Sequence, residues 1–302
     1  MKKNLILFFF LFFITSLHAQ DAVRQLRSGE AFYKKQMLPD ALLVLDSSLK
    51  ADPSLKEAYF LRGQVQLELG LYAGAFQDFD KLLKIDSLNA DAYYFRGVTF
   101  ASIGEVKSAL ADLTKAISLQ KNEKYLFARG IIYDALTFYD QAIADFSEIT
   151  QINPKNDSAF FNLGVLYDKM GQPAKAINVY TQCIQINPDH QEALFNRASD
   201  FDETGDAKSA INDYSLLVKK YPKDQDAFFN RGSLYFDAGD YQKAIDDFNQ
   251  VVLIDPTSAD AYYNRGVSYY RSGSMEQGCT DIQMAIVLGD PDAKKFLKEY
   301  CK

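Results

Sequence analysis

Residues 226–236 spell Asp-Ala-Phe-Phe-Asn-Arg-Gly-Ser-Leu-Tyr-Phe, and residues 241–252 spell Tyr-Gln-Lys-Ala-Ile-Asp-Asp-Phe-Asn-Gln-Val-Val. In both segments apolar residues recur three or four positions apart, which predicts two amphipathic helices. Gly239 lies between them and is typical of the left-handed residue that ends a helix. Pro256 follows the second segment, and proline cannot continue a helix because it lacks the amide donor. This stretch therefore predicts a helical hairpin.

The same pattern recurs about every 34 residues, in eight repeats that begin near residues 22, 56, 90, 123, 157, 191, 225 and 259. We number positions within each repeat from its first residue. Position eight holds Gly29, Gly63, Gly97, Gly130, Gly164, Ala198, Gly232 and Gly266, and position twenty holds Ala41, Ala75, Ala109, Ala142, Ala176, Ala210, Ala244 and Gly278. Two series of small residues with one period predict a single two-helix unit stacked eight times, because a small residue lets two helix backbones approach closely.

The 34-residue period and the aromatic–Gly–Tyr–Ala–Phe–Pro pattern resemble the tetratricopeptide repeat family over about residues 22–289. The resemblance implies an all-α fold, an α-solenoid or superhelix of about eight helix-turn-helix repeats. The solenoid is expected over residues 21–290, with a C-terminal capping helix over 291–302. Two departures are visible: one residue is missing from the turn near residues 120–123, so that repeat three has 33 residues, and Thr137 occupies the place of the cap glycine in repeat four. The family is a scaffold with many ligands, so the resemblance implies little about function.

Residues 1–20 are predicted to be a secretory signal peptide. Two lysines precede an apolar run, Leu5 to Ile14, and small residues follow. Cleavage is expected near Ala19 or Gln20. The alternative is an uncleaved membrane anchor, although the run is short against the ~20 residues that a span requires. The predicted location is the periplasm or the extracellular medium, with no direct membrane insertion after cleavage.

The net charge of −7 becomes −9 without the signal peptide, which carries two lysines and no acidic residue. An acidic chain without a basic stripe argues against nucleic acid, whose binding depends on lysine and arginine at the phosphates. Basic or neutral partners are expected instead. We predict another envelope or secreted protein as the partner, bound through an extended segment; the sequence does not indicate an oligomeric state.

Three cysteines follow the signal peptide. Cys183 occupies a position that is apolar in other repeats, which indicates a small core residue. Asp290 lies in the turn before the predicted capping helix, and Cys279 and Cys301 are each eleven residues away from it, on opposite sides. Residues equidistant from the turn of an antiparallel hairpin face each other, so an oxidising compartment favours a disulfide there. The alternative is two unpaired, half-buried thiols.

Arginine at position seven and aspartate at position twenty-three occur in the same six repeats. The pairs are Arg62 with Asp78, Arg96 with Asp112, Arg129 with Asp145, Arg197 with Asp213, Arg231 with Asp247, and Arg265 with Asp281. The first and fifth repeats lack both residues, and the fifth has Leu163 with Val179. This agreement predicts a structural ion pair between the two helices of a repeat, for which an apolar pair can substitute. The alternative is a row of arginines that binds an anionic ligand.

The resemblance also implies that positions two, five, nine and twelve of the first helices face a concave groove. Position five is aromatic in seven repeats, as Phe60, Tyr94, Phe127, Phe161, Phe195, Phe229 and Tyr263, and position six holds Asn162, Asn196, Asn230 and Asn264. Position two is mostly acidic, as Glu57, Asp91, Glu192, Asp226 and Asp260. Aromatic rings and amides can bind an extended peptide, and the acids favour a basic one. Packing between repeats, helix-dipole stabilisation and local hydrogen bonds are the alternatives.

Catalysis has little support in the sequence. After the signal peptide His190 is the only histidine, and no Cys-x-x-Cys motif, phosphate-binding loop or nucleophile with a base is present. We therefore predict no catalytic residues, no metal and no cofactor. Leu26 with Glu30, Phe60 with Gln64, and Tyr94 with Val98 also differ from the lysine and asparagine with which some family members clamp a C-terminal carboxylate. The predicted function is an exported protein–protein interaction scaffold; the alternatives are a glycan- or peptidoglycan-binding envelope module and an enzyme built on the repeat.

Overall fold

The computed structural model describes the backbone of residues 2–301 and the side chains of residues 18–301. Most of the predicted signal peptide thus lies outside the described side chains. Over the described residues every regular element is an α-helix. The helices are α1 Lys2–Lys34, α2 Leu38–Ala51, α3 Lys56–Glu68, α4 Tyr72–Ile85, α5 Ala90–Ser102, α6 Val106–Leu119, α7 Glu123–Ala135, α8 Tyr139–Ile152, α9 Asp157–Lys169, α10 Pro173–Ile186, α11 Gln191–Glu203, α12 Ala207–Lys220, α13 Gln225–Asp237, α14 Tyr241–Ile254, α15 Ala259–Arg271, α16 Met275–Leu288 and α17 Ala293–Tyr300.

The helices form two compact units, Met1–Pro154 with α1 to α8 and Lys155–Lys302 with α9 to α17. Within each unit consecutive helices pair as hairpins, such as α3 with α4 and α13 with α14. The second helix of a hairpin also packs on the first helix of the next, as α4 does on α5 and α14 on α15. The prediction of an all-α fold of tetratricopeptide-type hairpins, stacked as in a solenoid, is confirmed within each unit. None of the described helices is both long and apolar enough for a membrane crossing.

Polar residues begin most of the first helices. Asn89 accepts a hydrogen bond from the backbone N–H of Ala92 at 2.9 Å, and Asp224 accepts one from Ala227 at 3.0 Å. Each bond satisfies an N–H that has no partner within the helix, so these caps set where the helices start.

A left-handed residue ends each of the first helices that is followed by a tight turn. Gly239 has φ 78° there, and the equivalent glycines also have positive φ. Thr137 takes this conformation in repeat four with φ 61°, and Gln36 does so in repeat one with φ 58°. A side chain with a Cβ is strained in this region, and a β-branched one especially. The turn geometry therefore persists in the repeats that lack the glycine.

Close approach of the two helices explains the small residues at positions eight and twenty. A Cβ atom added to Gly63 would lie 2.8 Å from the ring of Phe79, and one added to Gly266 would lie 3.0 Å from the backbone oxygen of Gly278. The residue at position twenty-four, such as Phe79, is fully buried and fills the space beside this crossing.

A short helix, α17, covers the end of the last repeat. Its Phe296 ring packs against Tyr263 and Tyr270, with centroid separations of 6.2 and 5.5 Å. A disulfide joins Cys279 of α16 to Cys301 just beyond α17, with Cα atoms 5.7 Å apart. The helix is thus held to its neighbours by both ring packing and a covalent link.

Candidate binding surface

Each of the six arginines at position seven binds the aspartate of its own repeat through two parallel hydrogen bonds. In repeat seven, Nε of Arg231 donates to Oδ2 of Asp247 at 2.8 Å and Nη2 donates to Oδ1 at 2.6 Å. The Asp247 side chain is 6% exposed and the Arg231 side chain 16% exposed. All six arginines use their guanidinium groups in this way, which supports a structural role for them.

The third arginine nitrogen binds the preceding repeat, a contact that the sequence analysis missed. Nη1 of Arg231 donates to Oγ of Ser215 at 3.0 Å, and Nη1 of Arg62 donates to Oδ1 of Asp46 at 2.7 Å. The acceptors lie at position twenty-five of the preceding repeat: Asp46, Asp80, Thr114, Thr181, Ser215 and Asn249. The sequence does carry a signal for this contact: position twenty-five is polar in every repeat, although the helix that holds it packs against helices on both sides. Each arginine therefore joins three helices.

The electrostatics of these pairs follow from burial and hydrogen bonding. Burial raises the pKa of the Asp78 carboxyl, and the hydrogen bonds and charge of Arg62 oppose that rise. In return, hydrogen bonding to Asp78 raises the pKa of the Arg62 guanidinium, which burial would lower. The charged form of each group is thus favoured by the other group.

The aromatic residues at position five are half-buried, and most of them pack against a ring of their own repeat. The ring centroids of Phe195 and Tyr214, the latter at position twenty-four, are 5.7 Å apart, and those of Phe229 and Phe248 are 5.6 Å apart. Tyr94 and Tyr263 instead contact Tyr125 and Phe296. Part of each ring thus stabilises the fold, and part is left accessible on the first helix.

The asparagines at position six divide into two groups. Asn196 and Asn230 donate to the hydroxyl oxygens of Tyr180 and Tyr214, at 3.0 and 3.2 Å. Asn162 and Asn264 donate to backbone carbonyls four residues earlier in their own helices. All four amides thus have a local partner in the structure, and the shared asparagine at position six does not reveal which of the two arrangements each one adopts.

Most of the acidic residues at position two are exposed, namely Glu57, Glu192, Asp226 and Asp260. Asp91 is the exception: it accepts hydrogen bonds from Nζ of Lys124 at 2.5 Å and from the hydroxyl of Tyr125 at 2.8 Å. Burial raises the pKa of the Asp91 carboxyl, but these hydrogen bonds outweigh it, so the pKa lies below its ordinary value.

One cavity in the first unit collects several of the predicted groove positions. It has a volume of about 350 Å³, and its walls include Glu57, Phe60 and Gln64 from positions two, five and nine of repeat two. Glu30 from position nine of repeat one, Asn89 and Lys56 are its other polar lining residues. The cavity thus offers an aromatic floor with carboxylate and amide groups around it.

Two residues flagged in the sequence have structural roles in the second unit. The free thiol of Cys183 is fully buried, as predicted, and burial raises its pKa to about 12. Nδ1 of His190 accepts a hydrogen bond from the backbone N–H of Ala193 at the start of α11, and its ring lies 4.6 Å from Phe161. Among the described residues no group of three or more histidine, cysteine or acidic side chains is placed to hold a metal ion.

Five family models, described as tetratricopeptide repeat or TPR repeat, match residues 26–90, 90–123, 158–190, 192–224 and 232–273. Together they span well over half of the chain. The chain therefore belongs to the tetratricopeptide repeat family, a class of scaffolds. None of the curated proteins matches it.

Several solved structures share this fold. The C-terminal part of a TPR repeat-containing protein from Cytophaga hutchinsonii is 19% identical, with a TM-score of 0.70, and the match covers 79% of this chain and 98% of that one. PilW, described as a type IV pilus biogenesis factor, is 17% identical with a TM-score of 0.57, covering 67% and 94%. PilF of Pseudomonas aeruginosa is 22% identical with a TM-score of 0.54, covering 74% and 98%. At these identities the likeness concerns the fold.

Proposed function

We propose that this protein is an exported scaffold that binds a partner protein through an extended segment, on the surface formed by its first helices. The observation that carries the proposal is the cavity lined by Glu57, Phe60 and Gln64. Positions two, five and nine of one helix line it, and the resemblance to the family assigns these positions to the groove. An aromatic floor supplies contact area at low entropic cost, and the amide and carboxylates at the rim can bind a peptide backbone or a cationic side chain.

The charge of this surface favours a basic partner. The position-two acids Glu57, Glu192, Asp226 and Asp260 are exposed, and the chain as a whole carries a net charge of −7. Exposed acids accelerate the encounter with a basic segment, and salt weakens that effect because the Debye length is only about 8 Å at physiological ionic strength. A non-catalytic role is part of the proposal; it is supported by the sequence, which has no motif of a nucleophile with its base.

The test compares two charge reversals in the first unit. Glu57→Lys changes the cavity rim, and Asp140→Lys makes the same change in the first turn of a second helix, also at an exposed site. Binding is measured by fluorescence anisotropy with extended peptide libraries of basic and of acidic composition. We expect basic peptides to bind, Glu57→Lys to weaken binding about tenfold, and Asp140→Lys to have little effect. Equal loss in both variants, or a preference for acidic peptides, would contradict the proposal.

Export is tested separately by fractionating cells that express the full chain and sequencing the N-terminus of the product. The expected product lies in the periplasm or medium and begins just after Ala19 or Gln20. A full-length product that stays in the cytoplasm would refute export and leave the binding proposal standing.

A glycan ligand is the second candidate, because the aromatic rings at position five are half-exposed. Phe195 and Phe229 occupy the same position in consecutive repeats, and aromatic faces can stack on sugar rings. Retention on insoluble cell-wall material that disappears in a Phe195→Ala, Phe229→Ala variant, with peptide binding absent, would favour this candidate over the peptide.

A further inference from the structure

Asp200 is a carboxyl group at a position that is buried in most of the other repeats. It lies at position ten of the sixth repeat and is 5% exposed. The other repeats place apolar or small residues there: Ala31, Val65, Thr99, Ile132, Leu166, Leu234 and Ser268. The buried hydroxyls of Thr99 and Ser268 donate to carbonyls of their own helices. A carboxylate cannot donate in this way, so Asp200 requires another solution.

The neighbour of Asp200 is a second carboxyl group, Asp168 of α9, within hydrogen-bonding contact. Oδ2 of Asp168 accepts a hydrogen bond from the Tyr180 hydroxyl at 2.5 Å, and that hydroxyl accepts one from Nδ2 of Asn196 at 3.0 Å. Oδ1 of Asp168 and Oδ2 of Asp200 are buried and receive no hydrogen bond from any other group. Two ionised carboxylates can only accept hydrogen bonds, so a hydrogen bond between Asp168 and Asp200 requires that one of the two carboxyl groups is protonated.

Among the described residues, none of the groups that shift the pKa of either carboxyl is a cation. The groups that face it are Tyr180 from α10, Glu203 from α11 and Tyr214 from α12, besides Asn196. These groups are neutral or negatively charged near neutral pH. Two adjacent buried carboxyls without a cation cannot both ionise cheaply, because burial and mutual repulsion both oppose the second charge.

We propose that Asp168 and Asp200 share one proton and that this pair is a pH-sensitive latch between the fifth and sixth repeats. The proton bridges α9 to α11, and Tyr180 connects α10 to the same network. Loss of the proton leaves two negative charges in a buried site and loosens the junction of these three helices. The latch does not depend on a bound partner, so it stands independently of the proposed function.

The electrostatics give the pH range. Burial, followed by the charge of Asp168, raises the pKa of Asp200 to about 7. The folded state therefore holds a proton that the unfolded chain, in which the aspartate pKa is 3.8, has lost near neutral pH. The pair therefore contributes its full stabilisation when the pH is below the unfolded pKa of 3.8. This stabilisation is lost as the pH rises from 3.8 through the folded pKa of about 7. Close to neutral pH, a small change in acidity thus changes the occupancy of the bridge.

The test uses the full chain and three variants. Asp200→Asn keeps the size of the side chain but cannot ionise, Asp200→Leu copies position ten of repeats five and seven, and Asp202→Asn removes a nearby carboxyl that is exposed. The first readout is the carbon-13 NMR titration of the aspartate carboxyls. We expect one resonance to titrate near pH 7 in the wild type and in Asp202→Asn, and to be missing in Asp200→Asn.

The second readout is hydrogen exchange of α9 to α11 between pH 6 and 8, corrected for intrinsic exchange rates. We expect protection in the wild type to fall by up to about tenfold per pH unit below pH 7 and to level off above it, because opening releases one proton only while the folded pair still holds it. Asp200→Asn and Asp200→Leu should show no such fall, and Asp202→Asn should behave as the wild type. A wild type in which no carboxyl titrates above pH 5, or variants at residue 200 that keep the pH dependence, would overturn the proposal.

Discussion

Replacing Arg231 by leucine is the sharpest perturbation of the repeat architecture. The guanidinium supplies two hydrogen bonds to Asp247 and one to Ser215 of the preceding repeat. Without it, the Asp247 carboxylate, 6% exposed, is left without a cation. Breaking a buried pair from one side costs about 3–5 kcal/mol, because a charge is stranded rather than because a strong bond is lost.

The double variant Arg231→Leu, Asp247→Val imitates the fifth repeat, which has Leu163 and Val179 at these positions. Removing both charges also removes the desolvation cost, so we expect stability within about 1 kcal/mol of the wild type. Asp247→Val alone should cost less than Arg231→Leu, about 2–3 kcal/mol, because the Arg231 guanidinium keeps its hydrogen bond to Ser215 and its side chain is 16% exposed to water. The two sites should therefore show a coupling energy of roughly 4 kcal/mol or more, above the usual range for contacting residues.

Unfolding in urea, followed by helical circular dichroism, measures these differences. Repeat proteins can unfold in parts, so hydrogen exchange of α13 and α14 should accompany it. Arg271→Leu is the matched control because Arg271 is an exposed arginine in the second unit. The reasoning is refuted if Arg231→Leu costs no more than the control, or if the double variant is as unstable as the two single variants combined.

Thr137→Gly should stabilise the first unit by about 0.5–1 kcal/mol because it removes a β-branched residue from φ 61° at some cost in chain entropy. Gly239→Thr should destabilise the second unit by about 1–2 kcal/mol in urea unfolding, which is the backbone cost of a left-handed residue with a Cβ, since that Cβ meets no other residue within 4 Å. Removing the disulfide with Cys279→Ser and Cys301→Ser should lower C-terminal stability by about 3 kcal/mol, the entropy of a loop with a sequence separation of 22, seen as lost hydrogen-exchange protection in α17. Gly164→Ala should lower the melting temperature and cost about 1–3 kcal/mol because the new methyl group meets a buried tyrosine ring; an unchanged melting temperature would contradict the close-approach explanation.

The periodicity predicted the hairpins because each repeat solves the same packing problem with the same residue types. Glycine at position eight and a large residue at position twenty-four are two halves of one contact, as Gly63 and Phe79 are. The shared absences of arginine and aspartate likewise indicated the contact of Arg231 with Asp247, because two residues that bond are lost together.

Contacts with varied partners were harder to predict. Position twenty-five accepts a hydrogen bond through a carboxylate at Asp46, a hydroxyl at Ser215 and an amide at Asn249, so no single residue type marks it. Asp200 belongs to no ligand or ion-pair pattern, and its only signal in the sequence is a single acid at a position where the other repeats have apolar or small residues. The accessible part of the position-five rings depends on how each ring tilts against its neighbour, which side-chain packing decides.

The three-helix linkage of the arginines has a consequence for how such chains change length. Arg231 has one acceptor sixteen residues before it and others sixteen residues after it. Deletion of the 34 residues 191–224 would place Arg231 opposite Thr181 instead of Ser215, so that one hydroxyl takes over from another. Unequal recombination at the codons of the turns can therefore add or remove whole repeats, because position twenty-five of any preceding repeat supplies a polar acceptor for the arginine that follows it.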